Sequence, residues 1–234
     1  MIKYVIALIA GILVGIAAFL ALVYFNPLTS RHDLSPLAVS SDEMMVLKYS
    51  GVAADSLIYT NDGESQVAPY PARVLQLWEA PIRHTVVRAV VLADAQNEPV
   101  GLGIKISSES EQTSILKGQA LVDSVWHLYL PGRGSMFIEE QENYWSYLRD
   151  IVVPARWSSS DSWRGIWQGN TTSGPGALGL ARVVGGSGEF AGLQSAAVES
   201  LYARAYSVEH GPVALDGELT IETARFEAGV TPDL

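Results

Sequence analysis

The hydrophobic pattern divides the chain in two. Tyr4 to Phe25 is a run of 22 residues without a charge. As a helix rising about 1.5 Å per residue, it matches a hydrocarbon core roughly 30 Å thick. It exceeds the apolar stretch of about 7–15 residues in a secretory leader. It also ends in Val23-Tyr24-Phe25-Asn26-Pro27, with no small-x-small cleavage site. A retained anchor is therefore expected over a cleaved leader, with Tyr4, Tyr24 and Phe25 at the two interfaces.

After the anchor the pattern weakens and then changes period. Pro27, Pro36, Pro69 and Pro71 punctuate a connecting region, in which "MMVLKYS" (44–50) could form one strand and Asp62-Gly63 a turn. "RVLQLWEA" (73–80) reads as a short helix stopped by Pro81. From 82 onward the reading is β. "HTVVRAVVLAD" is rich in Val. "VGLGIKIS" puts Val100, Leu102, Ile104 and Ile106 on one face, and Gly101, Gly103 and Lys105 on the other. In "ALVDSVWHLYL" (120–130), Val122, Trp126, Leu128 and Leu130 share one parity, and Val125, His127 and Tyr129 the other. "PGRG" turns the chain into "SMFIEE", and residues 140–150 form a helix or an excursion. "WRGIWQGN", "GLARVVGGSG", "LQSAAVESLYARAYSV" and "ALDGELTIETARF" supply further strands, the last two separated by a turn at His210-Gly211-Pro212. Seven or eight strands without long intervening helices predict an antiparallel barrel or sandwich. The expected organisation is an anchor (1–27), an extracytoplasmic linker with short elements (28–82), the β domain (83–226) and a tail (227–234).

"VVGGSGEFAGLQ" (183–194) raises the question of a phosphate loop. No lysine follows the glycines and no GxGxxG is present, so a structural turn is the expectation. Gly185, Gly186 and Gly188 would supply positive-φ geometry, Phe190 would enter the core, and Gly192 would allow a bulge. This stretch resembles the glycine signature of the allene oxide cyclase and dirigent-protein families, through Gly185, Gly186, Ser187, Gly188, Phe190 and Gly192. The resemblance extends over about 83–225. It implies an eight-stranded antiparallel calycin-like β-barrel; the N-terminal anchor is not part of the resemblance, so the expected fold is a single transmembrane helix followed by that mainly β domain. The family's further glycine is absent near Ser195, and no residue maps onto the cyclase's active-site acid, so the resemblance concerns fold and not activity.

Composition narrows the chemistry. Formal charge is −10, which disfavours nucleic acid and anionic headgroups as partners. There is no cysteine, which removes disulfides, thiol catalysis and cysteine-built zinc sites. Positive-inside counting is nearly balanced between Lys3 and Arg31, and the large body after the helix, with very few residues before it, is what favours a cytoplasmic N-terminus and a periplasmic domain at the inner membrane. Ala7, Gly11, Gly15 and Ala18 form a small-residue stripe suited to packing on another membrane helix, though such residues are common in membrane helices anyway. Of His32, His84, His127 and His210, only His127 is placed to face a barrel interior, and a wall-facing role is the plainer reading. Met44-Met45 reads as packing. Glu139, Glu199 and Glu218 fall in strands and could face a cavity or solvent. Four of the six tryptophans lie in 145–167, either filling a barrel end or lining a pocket. The ligand-binding candidates are therefore His127, Trp163, Trp167 and Glu199. No catalytic triad, metal site or cofactor motif stands out. The leading expectation is a non-catalytic accessory or assembly subunit of a membrane complex. The alternative is a barrel that binds or isomerises a small apolar molecule, such as a lipid or oxidised fatty acid.

Overall fold

The computed structural model describes residues 2–24, 44–52, 57–60, 66–67, 76–77, 85–174 and 181–223. His32, His84, the turn at Asp62-Gly63, the helix stop at Pro81 and the tail expected at 227–234 lie outside them. Helix α1 spans Ile2–Tyr24; its stretch Lys3–Leu22 is long and apolar enough to cross a membrane. Ala7, Gly11, Gly15 and Ala18 lie on it, exposed. The strands follow in chain order: β1 (Met44–Ser50), β2 (Leu57–Thr60), β3 (Gln66–Val67), β4 (Gln76–Leu77), β5 (Thr85–Ala93), β6 (Pro99–Glu109), β7 (Leu121–Leu130), β8 (Gly134–Asn143), β9 (Ser162–Asn170), β10 (Thr172–Gly174), β11 (Ala181–Gly188), β12 (Ser195–Ser207) and β13 (Gly211–Glu222).

Eight of them close a ring in the order β1-β13-β12-β11-β8-β7-β6-β5, with Lys48 of β1 paired to Ala93 of β5. Every pairing is antiparallel. The chain is therefore mainly β, a barrel preceded by an apolar helix. Two boundaries differ from the sequence reading. β1 falls within the expected linker yet is a full stave, because its buried Leu47 and Tyr49 alternate with partly covered neighbours. Gln76–Leu77, expected in a short helix, pairs as β4 with β5; an unpaired edge competes well with a short helix that lacks a packed face.

The barrel interior is layered. Leu47, Leu92, Leu128, Met136, Ile138, Val183, Leu219 and Ile221 fill one end. β6 is inverted relative to the usual rule. Its Leu102, Ile104 and Ile106 face outward, with Leu102 50% exposed, while Gly103 and Lys105 face inward. The cause is volume: a Cβ on Gly103 would lie 2.9 Å from the Trp126 ring, so bulky neighbours occupy that side of the wall. The outer faces of β5–β8 consequently carry a continuous uncharged patch. Val91 aligns with Leu102 and Tyr129, and Ile104 with His127 and Phe137.

The glycine motif combines a bulge and a turn. The β8–β11 register shifts between Val183 and Gly185. Gly188 (φ 63°) and Gly192 (φ 74°) adopt left-handed backbone, and Phe190 between them is buried. Gly185 and Gly186 are strand residues without positive φ, contrary to the expectation. Gly186 is needed because a Cβ there would meet the Ser135 and Phe190 carbonyl oxygens at 2.5 and 2.8 Å. Gly217 plays the same part inside β13, where the Tyr49 ring fills the space a Cβ would take. Gly217→Ala is expected to destabilise the barrel by about 1–3 kcal/mol, read by urea denaturation. Unchanged stability would show that Tyr49 is not fixed there.

Between β8 and β9 the chain makes a helical excursion: α2 (Trp145–Tyr147), a π turn (Leu148–Val152) and α3 (Val153–Trp157). Tyr147, Ile151 and Ala155, four residues apart, are buried, which is the inward face of a short amphipathic helix. β9 continues along the edge of β12 beyond β11.

Candidate functional site

At the barrel end nearer the excursion, three strands bring one cation and three carboxylates together. Lys105 (β6) places Nζ 2.6 Å from Glu199 (β12), 2.8 Å from Glu142 and 3.0 Å from Glu140 (β8). All four are buried. Alternation explains their aim. Met136 and Ile138 point inward, so Glu140 and Glu142 must follow them. Trp126 and Ser124 share the inward parity of β7. The Trp126 indole N–H donates to Glu140 at 3.1 Å and to Glu199 at 3.3 Å. The Ser124 hydroxyl donates to Glu142 at 2.6 Å, and the Tyr144 hydroxyl donates to it at 2.5 Å. The Tyr49 hydroxyl donates to Glu199.

The electrostatics require at least one retained proton. Burial opposes the charge on Lys105, but the fields of Glu140, Glu142 and Glu199 outweigh it and hold its pKa well above the ordinary value. Burial also works against Glu199. Lys105, with hydrogen bonds from Glu140, Lys105 and Tyr49, overcomes it and lowers that carboxyl to about 2. Glu140 goes the other way: burial, then the neighbouring Glu199 charge, push it well up. Burial raises Glu142 as well, against the pull of Lys105. Glu199 is thus held ionised beside the ammonium, and Glu140 is the carboxyl pushed furthest toward its neutral form. Its Oε2 is buried and has no hydrogen-bond partner among the described residues. The three carboxylates have oxygens within 4.8 Å of one another, a spacing that could hold a hard cation. The Lys105 ammonium lies among them and supplies the positive charge.

The cluster abuts a cavity of about 260 Å³. Lys105, Tyr49, Tyr144 and the Trp126 ring form its polar end; Val86, Val122, Leu201 and Leu215 form apolar walls. Tyr147 covers it from the excursion, and Arg88 lines it with a buried Nε that has no hydrogen-bond partner among the described residues. The glutamates stand one layer behind the wall. A ligand would therefore meet phenol hydroxyls and an ammonium, each backed by a carboxylate.

The sequence candidates are distributed unevenly. Glu199 lies in the cluster, whereas Glu139 and Glu218 are not among the buried residues. His127, a candidate for the interior with a wall-facing role as the plainer reading, is on the outer wall, stacked on Phe137 at 4.5 Å; the inward parity of β7 belongs to Trp126 and Leu128. Trp163 and Trp167 pack against the core. Trp167 stands behind Tyr147, with ring centroids 5.5 Å apart, and borders a broad outer groove rather than the cavity. Tyr202 and Tyr206, four apart on β12, are separated by register shifts, so Tyr206 turns in toward Tyr147. Lys105, Glu140, Glu142, Tyr49, Tyr144 and Arg88 were not singled out from the sequence. The signal for the two glutamates was present: the period-two run Met136, Ile138, Glu140, Glu142.

No family model matches the chain, and no curated protein matches it. Among solved structures it is similar to the pterocarpan synthase dirigent protein GePTS1, with 10% identity and a TM-score of 0.39, over 80% of this chain and 87% of that one. Nothing about chemistry passes across a likeness of that size.

Proposed function

We propose that the chain is a membrane-tethered barrel that binds a small, largely apolar molecule and exchanges a proton with it. The supporting observation is the juxtaposition of a buried, proton-holding lysine–glutamate cluster with an aromatic-walled cavity. The Tyr144 hydroxyl is the link. A proton leaving a ligand hydroxyl passes to the Tyr144 oxygen as the tyrosine's own proton passes to Glu142 Oε1. Lys105 stays charged throughout and stabilises the negative charge that forms. The aromatic walls bind by burial and fix the ligand's orientation.

The test uses 2-naphthol, a small apolar probe with one hydroxyl, whose emission changes when its excited state loses that proton. Bound to the full-length chain in mild detergent, it is expected to emit as naphtholate. Tyr144→Phe should return the bound probe to neutral emission, with affinity changed by no more than about fivefold. Absence of binding, or identical emission from both proteins, would reject the reading.

A second reading, an accessory subunit of a membrane complex, is favoured by the uncharged outer wall of β5–β8. Ordinary monomers seldom leave so many contiguous apolar side chains uncovered. Under it, Ile104→Lys should separate the chain from its complex after gentle extraction.

A further inference from the structure

The excursion has a second face. On one side, Tyr147 covers the cavity and Ile151 and Ala155 are buried. On the other, Leu148 is 37% and Trp157 78% exposed. The end of α1 lies against this outer side. The Tyr24 ring centroid is 6.1 Å from that of Trp157, and the Tyr24 hydroxyl donates to the Arg149 carbonyl at 3.4 Å.

We infer that the segment Trp145–Trp157 is seated on the bilayer surface, with Trp157 and Leu148 at the lipid interface, so that the cavity end of the barrel faces the membrane. The inference rests on α1 being a retained anchor. If α1 spans the bilayer, its final turn marks where the hydrocarbon ends. Tyr24 is the kind of side chain that marks that level, and Trp157 beside it is another. Tryptophan puts its apolar ring among acyl chains and its N–H among headgroups. Leu148 adds apolar area on the same segment. The attraction is not one of bulk charge: the chain carries −10, so a zwitterionic surface suits it better than an anionic one. A helix is about 10 Å thick with its side chains. The cavity beneath Tyr147 would thus lie one helix thickness from the lipid, and an apolar ligand could reach it from the bilayer without crossing water.

The chain has no cysteine, which allows single spin labels on the full-length protein in phosphatidylcholine vesicles. Labels would be placed at Trp157→Cys and at Arg156→Cys, the latter keeping the tryptophan. A control at Gln96→Cys lies in the β5–β6 turn, at the opposite end of the barrel. Collision with lipid-soluble oxygen, relative to a water-soluble nickel complex, is expected to be at least about threefold higher at 156 and 157 than at 96. If the protein floats with the vesicles but all three labels are equally aqueous, the seat is overturned and the anchor stands. If it does not float, the anchor reading falls and the seat with it.

Discussion

Lys105→Met should destabilise the barrel by about 3–5 kcal/mol at neutral pH, the usual consequence of removing one partner from a buried ionic group. The substitution keeps the side-chain stem and deletes the positive charge that lies within 3.0 Å of all three glutamates. The loss should shrink on acidification, because protonated carboxyls no longer need the ammonium. Lys105→Ala adds a sharper expectation. It empties the space among three carboxylates whose oxygens lie within 4.8 Å of one another, so its thermal midpoint should rise with added calcium while the native protein's does not. A Lys105→Met protein as stable as the native one would mean that the carboxylates are all neutral and that the cluster is not ionic.

The second large effect is in the pH dependence. Glu199 is lowered in the folded state to about 2. Its contribution is present above the unfolded carboxyl value and is lost as pH falls from about 4.5 toward 2. Glu140 is raised. Its contribution is complete below the unfolded value and is lost as pH rises past it. Glu142 is shifted in the same direction. The two trends cross on the acid side, so the barrel should be most stable near about pH 5, and should then lose roughly 1.4 kcal/mol per pH unit for each proton it retains. Glu140→Gln keeps the shape and replaces the carboxyl O–H by an amide N–H that can still donate to Glu199. Urea denaturation between pH 5 and 8 should show a declining stability for the native chain and a distinctly shallower one for the variant. A native profile that rises over this range, or a variant with the same slope, would show that Glu140 does not hold the proton.

How much of this was legible beforehand depended on whether side-chain size or polarity decided orientation. The hairpin through "PGRG", the strands at 121–130 and 134–143, and the turn at Gly211 follow directly from alternation and turn chemistry. The apolar length of α1 was equally plain. β6 misleads, because its aliphatic face points out; only the room taken by Trp126 and its neighbours reveals that glycine and lysine belong inside. His127 shows the same limit on the adjacent strand. Glu199 was among the candidates because it fell in a strand, but its partners come from β6 and β8. Their convergence is a property of the closed ring, not of any local spacing. Lys105, 94 residues from Glu199 in sequence, has no local pattern to announce it.

β6 also bears on how such a chain can drift over evolutionary time. Its inward glycines cannot gain a side chain without striking residues of the neighbouring β5 and β7, while its outward aliphatics can be exchanged without disturbing anything beneath them. Across related chains, the greasy positions of this strand should vary and the bland ones persist. A survey that equates invariant hydrophobics with a core would then map this barrel inside out.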